Sequence, residues 1–201
     1  MAIAMALLGI FAGWNFYVHE QSIKIISDQG YKPEREQMPD TSLCTSTRMA
    51  YHDFESGDAG DSASHLTAKG HGGKQSLILS SRVPFSPGLW IRFKDINPCD
   101  SSWIRVSGYV WFSCPVSEAK CSLVATCNHN GINYKYMFIA IEKEAVTPNQ
   151  WNRISIDYQI PPASDCEDVL QAYFWYRGSG EMLVDDIDVE FYGEFQKNKN
   201  H

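Results

Sequence analysis

The chain has 201 residues, 44% of them hydrophobic, which is enough to bury one substantial core but not two full domains. The net charge of −7 and the absence of any basic run argue against nucleic acid as a partner, because phosphate binding depends on clustered Lys and Arg. Aromatic residues make up 13% of the chain. That content suits either a β-sheet core or a binding surface lined with rings.

Residues 2–18 form an apolar stretch that is interrupted by one polar residue, Asn15. The length is just sufficient for a helix that crosses a bilayer, and no basic residue precedes it as in a signal peptide. We therefore predict that residues 1–18 are a transmembrane helix or an uncleaved signal anchor, with Trp14 and Tyr17 near a membrane interface. An alternative is that the chain is a fragment and that this helix is the last span of a larger membrane protein.

The six cysteines are an even number, which permits disulfides if the chain lies outside the cytoplasm. Cys114 and Cys121 flank a short polar stretch that a disulfide between them would staple, and Cys99 and Cys166 both lie in predicted loops. The alternative is a set of free, half-buried thiols. The sequence has no Cys-x-x-Cys or His-x-x-x-His pair, which argues against zinc.

Residues 19–48 are polar and read as a linker or stalk, whereas the sequence beyond them consists of short alternating runs separated by turn residues. The nine predicted strands are residues 48–54, 75–82, 89–96, 102–113, 121–126, 132–142, 151–160, 169–177 and 181–192. The pattern predicts an all-β fold, an antiparallel jelly-roll β-sandwich over residues 49–192, preceded by the N-terminal hydrophobic helix and followed by a polar tail, 193–201.

Alternation assigns the two faces of the strands at 102–113, 151–160 and 169–177. The predicted core residues are Ile104, Val106, Gly108, Val110, Phe112, Ile154, Ile156, Tyr158, Ile160, Leu170, Ala172, Phe174 and Tyr176. The opposite faces carry four aromatic rings, Tyr109, Trp111, Tyr173 and Trp175. Polar side chains accompany these rings, and a sheet that is buried on one side does not need such rings for folding.

Several short motifs occur in a characteristic order. They are Tyr-His-Asp-Phe-Glu at 51–55, Gly-Gly-Lys-Gln-Ser-Leu at 72–77, Pro-Gly at 87–88, Trp-Asn-Arg-Ile at 151–154 and Leu-Val-Asp-Asp-Ile-Asp-Val at 183–189. This series resembles the galactose-binding-like jelly rolls and the related carbohydrate-binding modules. The resemblance implies that Trp151 packs at the edge of the sandwich and that Trp90 lies in the core.

The same resemblance implies one structural calcium ion at the ends of the first and last strands. Its ligands would be Asp53, Glu55, Asp185 and Asp186, together with main-chain oxygens near residues 72–76. Calcium takes six to eight oxygen ligands, and a clamp between two neighbouring strands can supply them. The alternative is that these carboxylates are solvated or cap turns.

A sugar ring has an apolar face of C–H bonds and a rim of hydroxyl groups. The four rings would provide platforms for that face, with Arg105, Asp157 and Gln171 as hydrogen-bonding partners. We therefore predict a membrane-anchored carbohydrate-binding module outside the cytoplasm, in the periplasm or at the cell surface. The alternative is a protein-contact or scaffolding domain, accessory to a membrane glycan-processing enzyme or a partner for a surface protein.

Catalysis is not expected from the chain itself. The acidic residues at 185–190 lie on a single predicted strand, and no acid on another strand faces them. The sequence has no Gly-x-Ser-x-Gly elbow and no phosphate-binding Gly-rich loop, and residues 57–73 are typical of a polar loop.

Overall fold

The computed structural model describes residues 35–39, 46–55, 65–96 and 102–193. These residues form two antiparallel sheets, which confirms the predicted β-sandwich. The ten strands are β1 (Ser46–His52), β2 (Leu66–Thr67), β3 (Ser76–Leu79), β4 (Leu89–Arg92), β5 (Trp103–Trp111), β6 (Cys121–His129), β7 (Ile132–Ala140), β8 (Asn152–Gln159), β9 (Val169–Tyr176) and β10 (Met182–Tyr192). The helical elements are a one-turn helix, α1 (Phe93–Ile96), and two short 3₁₀ turns, Val116–Glu118 and Ile141–Lys143.

Sheet A has six strands and sheet B has four. In sheet A the order is β2-β3-β10-β5-β8, and β1 pairs with the second half of β10, on the same side of it as β3. In sheet B the order is β4-β9-β6-β7. The membrane prediction concerns residues 1–18, which lie outside the described residues, and no helix within the described ranges is both long and apolar enough to cross a bilayer.

The core lies between the two sheets, and the alternation predicted for β5, β8 and β9 is confirmed. Every predicted core side chain on these strands is buried, including Phe112, Tyr158 and Phe174, which are completely inaccessible. Gly108 also faces the core, where a Cβ atom would meet the ring of Phe174 at 2.8 Å. The two sheets therefore share one continuous apolar interior.

Several strands begin or end a few residues from the predicted bounds, and two elements differ in kind. The strand predicted at 89–96 ends at Arg92, because Phe93 and Ile96 are both buried and a helical turn places residues three apart on one side. The short strand Leu66–Thr67 lies inside the predicted loop 57–73 and pairs with β3. A strand of two residues is too short to be recognised from alternation.

The described cysteines, Cys114, Cys121, Cys127 and Cys166, are free thiols, so of the two alternatives for Cys114 and Cys121 the structure has the free thiols and not the disulfide. Cys121 and Cys127 face the core, and burial raises the pKa of both thiols, that of Cys127 to about 12. Any pairing of Cys99 lies outside the described residues.

Residues 35–39 lie along the edge where β7 of sheet B approaches β8 of sheet A. One carboxylate oxygen of Glu36 pairs with Lys135 Nζ at 2.7 Å, and the other accepts a hydrogen bond from the backbone N–H of Gln159 at 2.7 Å. Met38 is buried, and its backbone N–H donates to Asp157 at 3.1 Å. Residues 35–39 are thus held mainly by β8, with Lys135 of β7 as a further partner.

Candidate functional site

The four predicted ring platforms lie on two different sheets. Tyr109 and Trp111 belong to β5 of sheet A, whereas Tyr173 and Trp175 belong to β9 of sheet B. Because the sheets pack through their inner faces, outward side chains on β5 and β9 point in opposite directions. The structure therefore does not bring the four rings into one site.

The rings on sheet A are covered by the segment that precedes β3. Lys69 Nζ lies 2.9 Å from the centre of the Trp111 ring, and the His71 imidazole stacks on Tyr109 with the ring centres 3.5 Å apart. The ring of Trp151 approaches His71 edge-on, with the ring centres 5.8 Å apart. The faces of Tyr109 and Trp111 that Lys69 and His71 occupy are not open to a sugar.

Arg105 and Asp157, two of the predicted polar partners, bind each other on sheet A. The guanidinium donates to both carboxylate oxygens, at 2.7 and 3.0 Å. Burial opposes ionisation of Asp157, but hydrogen bonds from Arg105 and the Met38 N–H hold its pKa below the ordinary value. Asp157 thus binds both Arg105 and the backbone at Met38. The ion pair lies on sheet A, whereas Gln171 lies on sheet B.

The outer face of sheet B carries a groove with a volume of about 520 Å³. Trp90 on β4 and Tyr173 on β9 contribute aromatic rings, and the Trp90 side of the groove is open, since 61% of this residue is exposed. Gln171 is the direct cross-strand neighbour of Trp90. The described residues that line the groove are Phe85, Ser86, Pro87, Gly88, Leu89, Trp90, Asn128, Gly131, Asn133, Val169, Gln171, Ala172 and Tyr173.

Amide side chains form the polar part of the groove. Asn128 Nδ2 donates to Gln171 Oε1 at 3.2 Å, and the Thr126 hydroxyl lies 2.9 Å from Asn133 Oδ1. Each amide has both donors and an acceptor, so the group can exchange hydrogen bonds with hydroxyls in either direction. None of the described lining residues carries a charge.

The segment at 85–88 forms one wall of the groove by lying directly on β9. Ser86 exchanges hydrogen bonds with the backbone of Phe174 on β9, donating from its N–H at 3.0 Å and accepting at its hydroxyl at 2.9 Å. Gly88 approaches the backbone of Ala172 so closely that a Cβ atom would collide with the carbonyl oxygen. This contact fixes the position from which Trp90 projects.

The hairpin turn between β6 and β7 closes one end of the groove. Asn130 and Gly131 have φ values of 50° and 80°, the left-handed pair of a two-residue type I′ hairpin. Asp168 is completely buried and holds this hairpin through His129. The Nδ1 atom of His129 donates to one carboxylate oxygen of Asp168 at 2.6 Å. The other oxygen of Asp168 accepts hydrogen bonds from the Ser164 hydroxyl and from the backbone N–H groups of Ser164 and Asp165.

Because of this network, the free energy of unfolding depends on pH in the acid range. Burial alone would raise the pKa of Asp168, but its hydrogen bonds from His129, Asp165 and Ser164 outweigh burial and lower it to about 2. Because the folded-state pKa lies below the unfolded one, the stabilisation is full above about pH 4 and is lost as the pH falls towards 2. We expect Asp168→Asn to lower the free energy of unfolding by about 2 kcal/mol at pH 7, with the deficit shrinking below pH 4. Urea unfolding across this pH range checks it, and a deficit that stays constant down to pH 2 would contradict the network.

The predicted calcium ligands lie near the segment at 71–75 but accept hydrogen bonds from N–H and O–H groups. Glu55 accepts from the backbone N–H groups of Lys74 and Gln75, and Asp185 accepts from that of His71, all at 2.6 Å. Asp186, in a β-bulge with a φ of 47°, accepts from the Tyr51 hydroxyl at 2.8 Å and pairs with His71.

Asp53 completes the set by accepting from the backbone N–H of Glu55 at 3.1 Å. Within the described ranges no three acidic, His or Cys side chains come together as a metal site. In this structure the four carboxylates thus serve as hydrogen-bond acceptors that hold the loop at 71–75 and the turn at Asp53. The calcium ion itself stays a prediction of the resemblance.

Domains of three bacterial proteins are among the solved structures to which this chain is similar. The CBM22-1 xylan-binding domain of Paenibacillus barcinonensis Xyn10C is 19% identical, with a TM-score of 0.49 over 76% of this chain and 99% of that one. The C-terminal family 22 carbohydrate binding module of Clostridium thermocellum Xyn10B is 14% identical, with a TM-score of 0.42 over 71% and 91%. Both of these structures are carbohydrate-binding modules. A third is the K3 cleaved adhesin domain of Lys-gingipain from Porphyromonas gingivalis, which is 10% identical, with a TM-score of 0.42 over 73% and 99%.

These similarities concern the fold and do not by themselves assign a ligand. No protein-family model matches the chain, and no curated protein matches it either. The two carbohydrate-binding modules belong to the class that the sequence motifs resemble.

The predicted core position of Trp90 is wrong, because the residue lies outside the core at the groove. Alternation in β4 could have predicted an outward Trp90, because this residue falls between Leu89 and Ile91, which both face inward. Of the seven predicted binding residues, Tyr173 and Gln171 line the groove, while Trp175 lies beyond its lining on the same face of sheet B. Asn128 and Asn133 were missed, because nothing in their local sequence shows that β6 runs beside β9 and that β7 runs beside β6.

Proposed function

We propose that the chain binds a neutral glycan in the groove of sheet B and does not catalyse a reaction on it. The observation that carries the proposal is an open tryptophan, Trp90, placed beside an uncharged amide group in a groove of about 520 Å³. A groove of this size, with aromatic walls and a few polar groups, is typical of small-molecule and oligomer binding sites.

The groove matches the two chemical faces of a sugar. The C–H face of a pyranose ring can pack on Trp90 or Tyr173, and the hydroxyl groups can then reach the amides of Gln171, Asn128 and Asn133. In the free groove Asn128 bonds to Gln171 and Asn133 bonds to the Thr126 hydroxyl, so a sugar hydroxyl would exchange with existing hydrogen bonds.

The absence of charge among the described lining residues favours a neutral ligand. An anionic glycan would lose hydration in the groove without gaining a compensating cation, and a charge that is buried without a partner is costly. The same lining offers no carboxylate or imidazole as a general acid or base. The buried Asp168 and its partner His129 hold the hairpin at the end of the groove and already bond to each other.

The second predicted function, contact with a protein partner, has less support. A protein-contact surface is expected to present a flat, exposed apolar patch. The apolar side chains beside the groove are instead buried, including Val124, Tyr136 and Trp175. Membrane anchoring and a location outside the cytoplasm stay predictions, because they rest on residues 1–18 and on the cysteines.

The test is a binding screen of the full chain against immobilised neutral and anionic glycans, with isothermal titration of any ligand found. We expect binding to neutral glycans with an uncharged backbone, and retention of that binding at high salt, because no ion pair contributes. Gln171→Ala should weaken the binding, whereas Gln159→Ala, a matched change on sheet A, should not. Binding confined to anionic glycans, or the absence of binding by the folded chain, would overturn the proposal.

A further inference from the structure

The loop between β6 and β7 is an Asn-Gly pair at the surface of the sandwich, and the sequence has no other Asn-Gly pair. Asn130 and Gly131 are both exposed, and they connect the paired residues His129 and Ile132. Their left-handed φ values, 50° and 80°, are those of the type I′ turn that Asn-Gly favours. The pair closes the hairpin, but its two residue types also permit a reaction between neighbouring groups.

The reaction joins the Asn130 side chain to the backbone of Gly131. The Gly131 nitrogen attacks Cγ of Asn130 and closes a succinimide ring, in which a new N–Cγ bond replaces the Cγ–Nδ2 bond. The proton of the Gly131 N–H goes to solvent, while Nδ2 takes up a proton and leaves as ammonia. Water then opens the ring at either of its two carbonyl carbons, so residue 130 becomes aspartate or isoaspartate. Attack within one chain gives the nucleophile a high effective concentration.

The folded hairpin leaves the reacting groups available. The ladder between β6 and β7 ends at the pair of His129 and Ile132, so the Gly131 N–H is not part of it. A Cβ atom built at Gly131 would meet nothing within 4 Å, so the space beside this residue is open. The leaving nitrogen, Nδ2 of Asn130, lies 2.8 Å from His129 Nε2, which places an imidazole next to it.

The two asparagines that flank this loop are in a different situation. Asn128 and Asn133 lie on paired strands, and their amides already bond to Gln171 and Thr126. Each is followed by a residue with a side chain, whose Cβ atom crowds the backbone nitrogen that would attack. We expect both to react slowly.

Asn149 separates the effect of backbone conformation from that of the next residue. It is exposed and left-handed, with a φ of 62°, but Gln150 follows it in place of a glycine. Asn149 therefore has the exposure and the φ value of Asn130 without the unhindered nitrogen of Gly131.

We propose that Asn130 is a deamidation site of the folded chain. Gly131 lines the groove, whose described lining residues are all uncharged, so the product places a negative charge at the end of a neutral site. Isoaspartate also lengthens the main chain of the two-residue loop, and loop length sets the register of His129 against Ile132. The proposal does not depend on the identity of any glycan.

Peptide mapping of the full chain, incubated at slightly alkaline pH in native buffer and in urea, tests the proposal. Trypsin releases residues 121–135, so Asn128, Asn130 and Asn133 are compared within one peptide, and the peptide 144–153 reports on Asn149. We expect the native chain to deamidate at Asn130 at least about tenfold faster than at the other three, because no Cβ atom hinders the attacking nitrogen. A mixture of aspartate and isoaspartate identifies the succinimide route, since direct hydrolysis of the amide gives aspartate alone.

Two variants sharpen the test. Gln150→Gly gives Asn149 the same neighbour as Asn130 and should raise the rate at Asn149. Asn130→Asp should abolish the mass increase of the peptide 121–135 while the circular dichroism of the β-sandwich stays unchanged.

Four outcomes would overturn the proposal. They are equal rates at Asn130 and Asn149 in the native wild type, aspartate without isoaspartate at position 130, modification of Asn130 in urea but not in native buffer, and an unchanged rate at Asn149 in Gln150→Gly. The third outcome would mean that the type I′ turn protects the pair instead of exposing it.

Discussion

Replacing Trp90 with alanine is expected to reduce glycan affinity by at least about 30-fold, which corresponds to roughly 2 kcal/mol. Trp90 is the most exposed ring of the groove, and it provides the flat surface on which a sugar can stack. Since the side chain makes little contact with the core, the free energy of unfolding should change by less than about 0.5 kcal/mol. Isothermal titration and urea unfolding on the same protein separate the two effects.

Trp111→Ala is the matched control for this prediction. Trp111 is also an outward tryptophan on a strand, but it lies on sheet A and Lys69 Nζ covers its ring at 2.9 Å. We expect its loss to leave glycan affinity unchanged. The opposite pattern, with affinity lost in Trp111→Ala and retained in Trp90→Ala, would place the binding site on sheet A.

Replacing Gly88 with alanine is expected to have the largest effect on stability. A Cβ atom at this position would collide with the backbone carbonyl of Ala172, which lies in the centre of β9 and cannot move without disturbing its pairing with β6. We expect the free energy of unfolding to fall by about 3 kcal/mol, at the upper end of the cost of overpacking. Because Trp90 projects from the same segment, glycan affinity should fall as well.

Gly180→Ala is the control for the change at Gly88. Its nearest neighbour would be the Tyr176 hydroxyl at 3.7 Å, an ordinary van der Waals contact. Urea unfolding of this variant should differ from that of the wild type by less than about 0.5 kcal/mol. Equal losses in both variants would show that the contact with Ala172 is not the cause.

The sequence predicted the strands and their inward faces because alternation is a local property. A side chain on β5 or β9 is buried or exposed according to its position in a period of two, and Ile104, Val110 and Phe174 follow this rule. The strand at 89–96 was predicted too long because an apolar run does not distinguish strand from helix over four residues. In that run the buried pair Phe93 and Ile96, three residues apart, has the spacing of one helical turn.

The composition of the candidate site was harder to predict, because it depends on which strands become neighbours. Alternation showed that Tyr109 and Tyr173 point away from the core, but it could not show that β5 and β9 belong to different sheets. Nor could it show that His71, far from β5 in sequence, stacks on Tyr109. Gln171 was predicted from its strand, but Asn128 became its partner only through the pairing of β6 with β9.

The covering of the sheet A rings by Lys69 and His71 has a consequence for valency. It leaves the described part of the chain with one aromatic groove, so each chain would engage a polysaccharide at a single point. Tight attachment to a polymer would then come from several chains held close together, whose combined residence time exceeds that of each groove alone. The spacing between chains would decide how strongly a repeating surface is held.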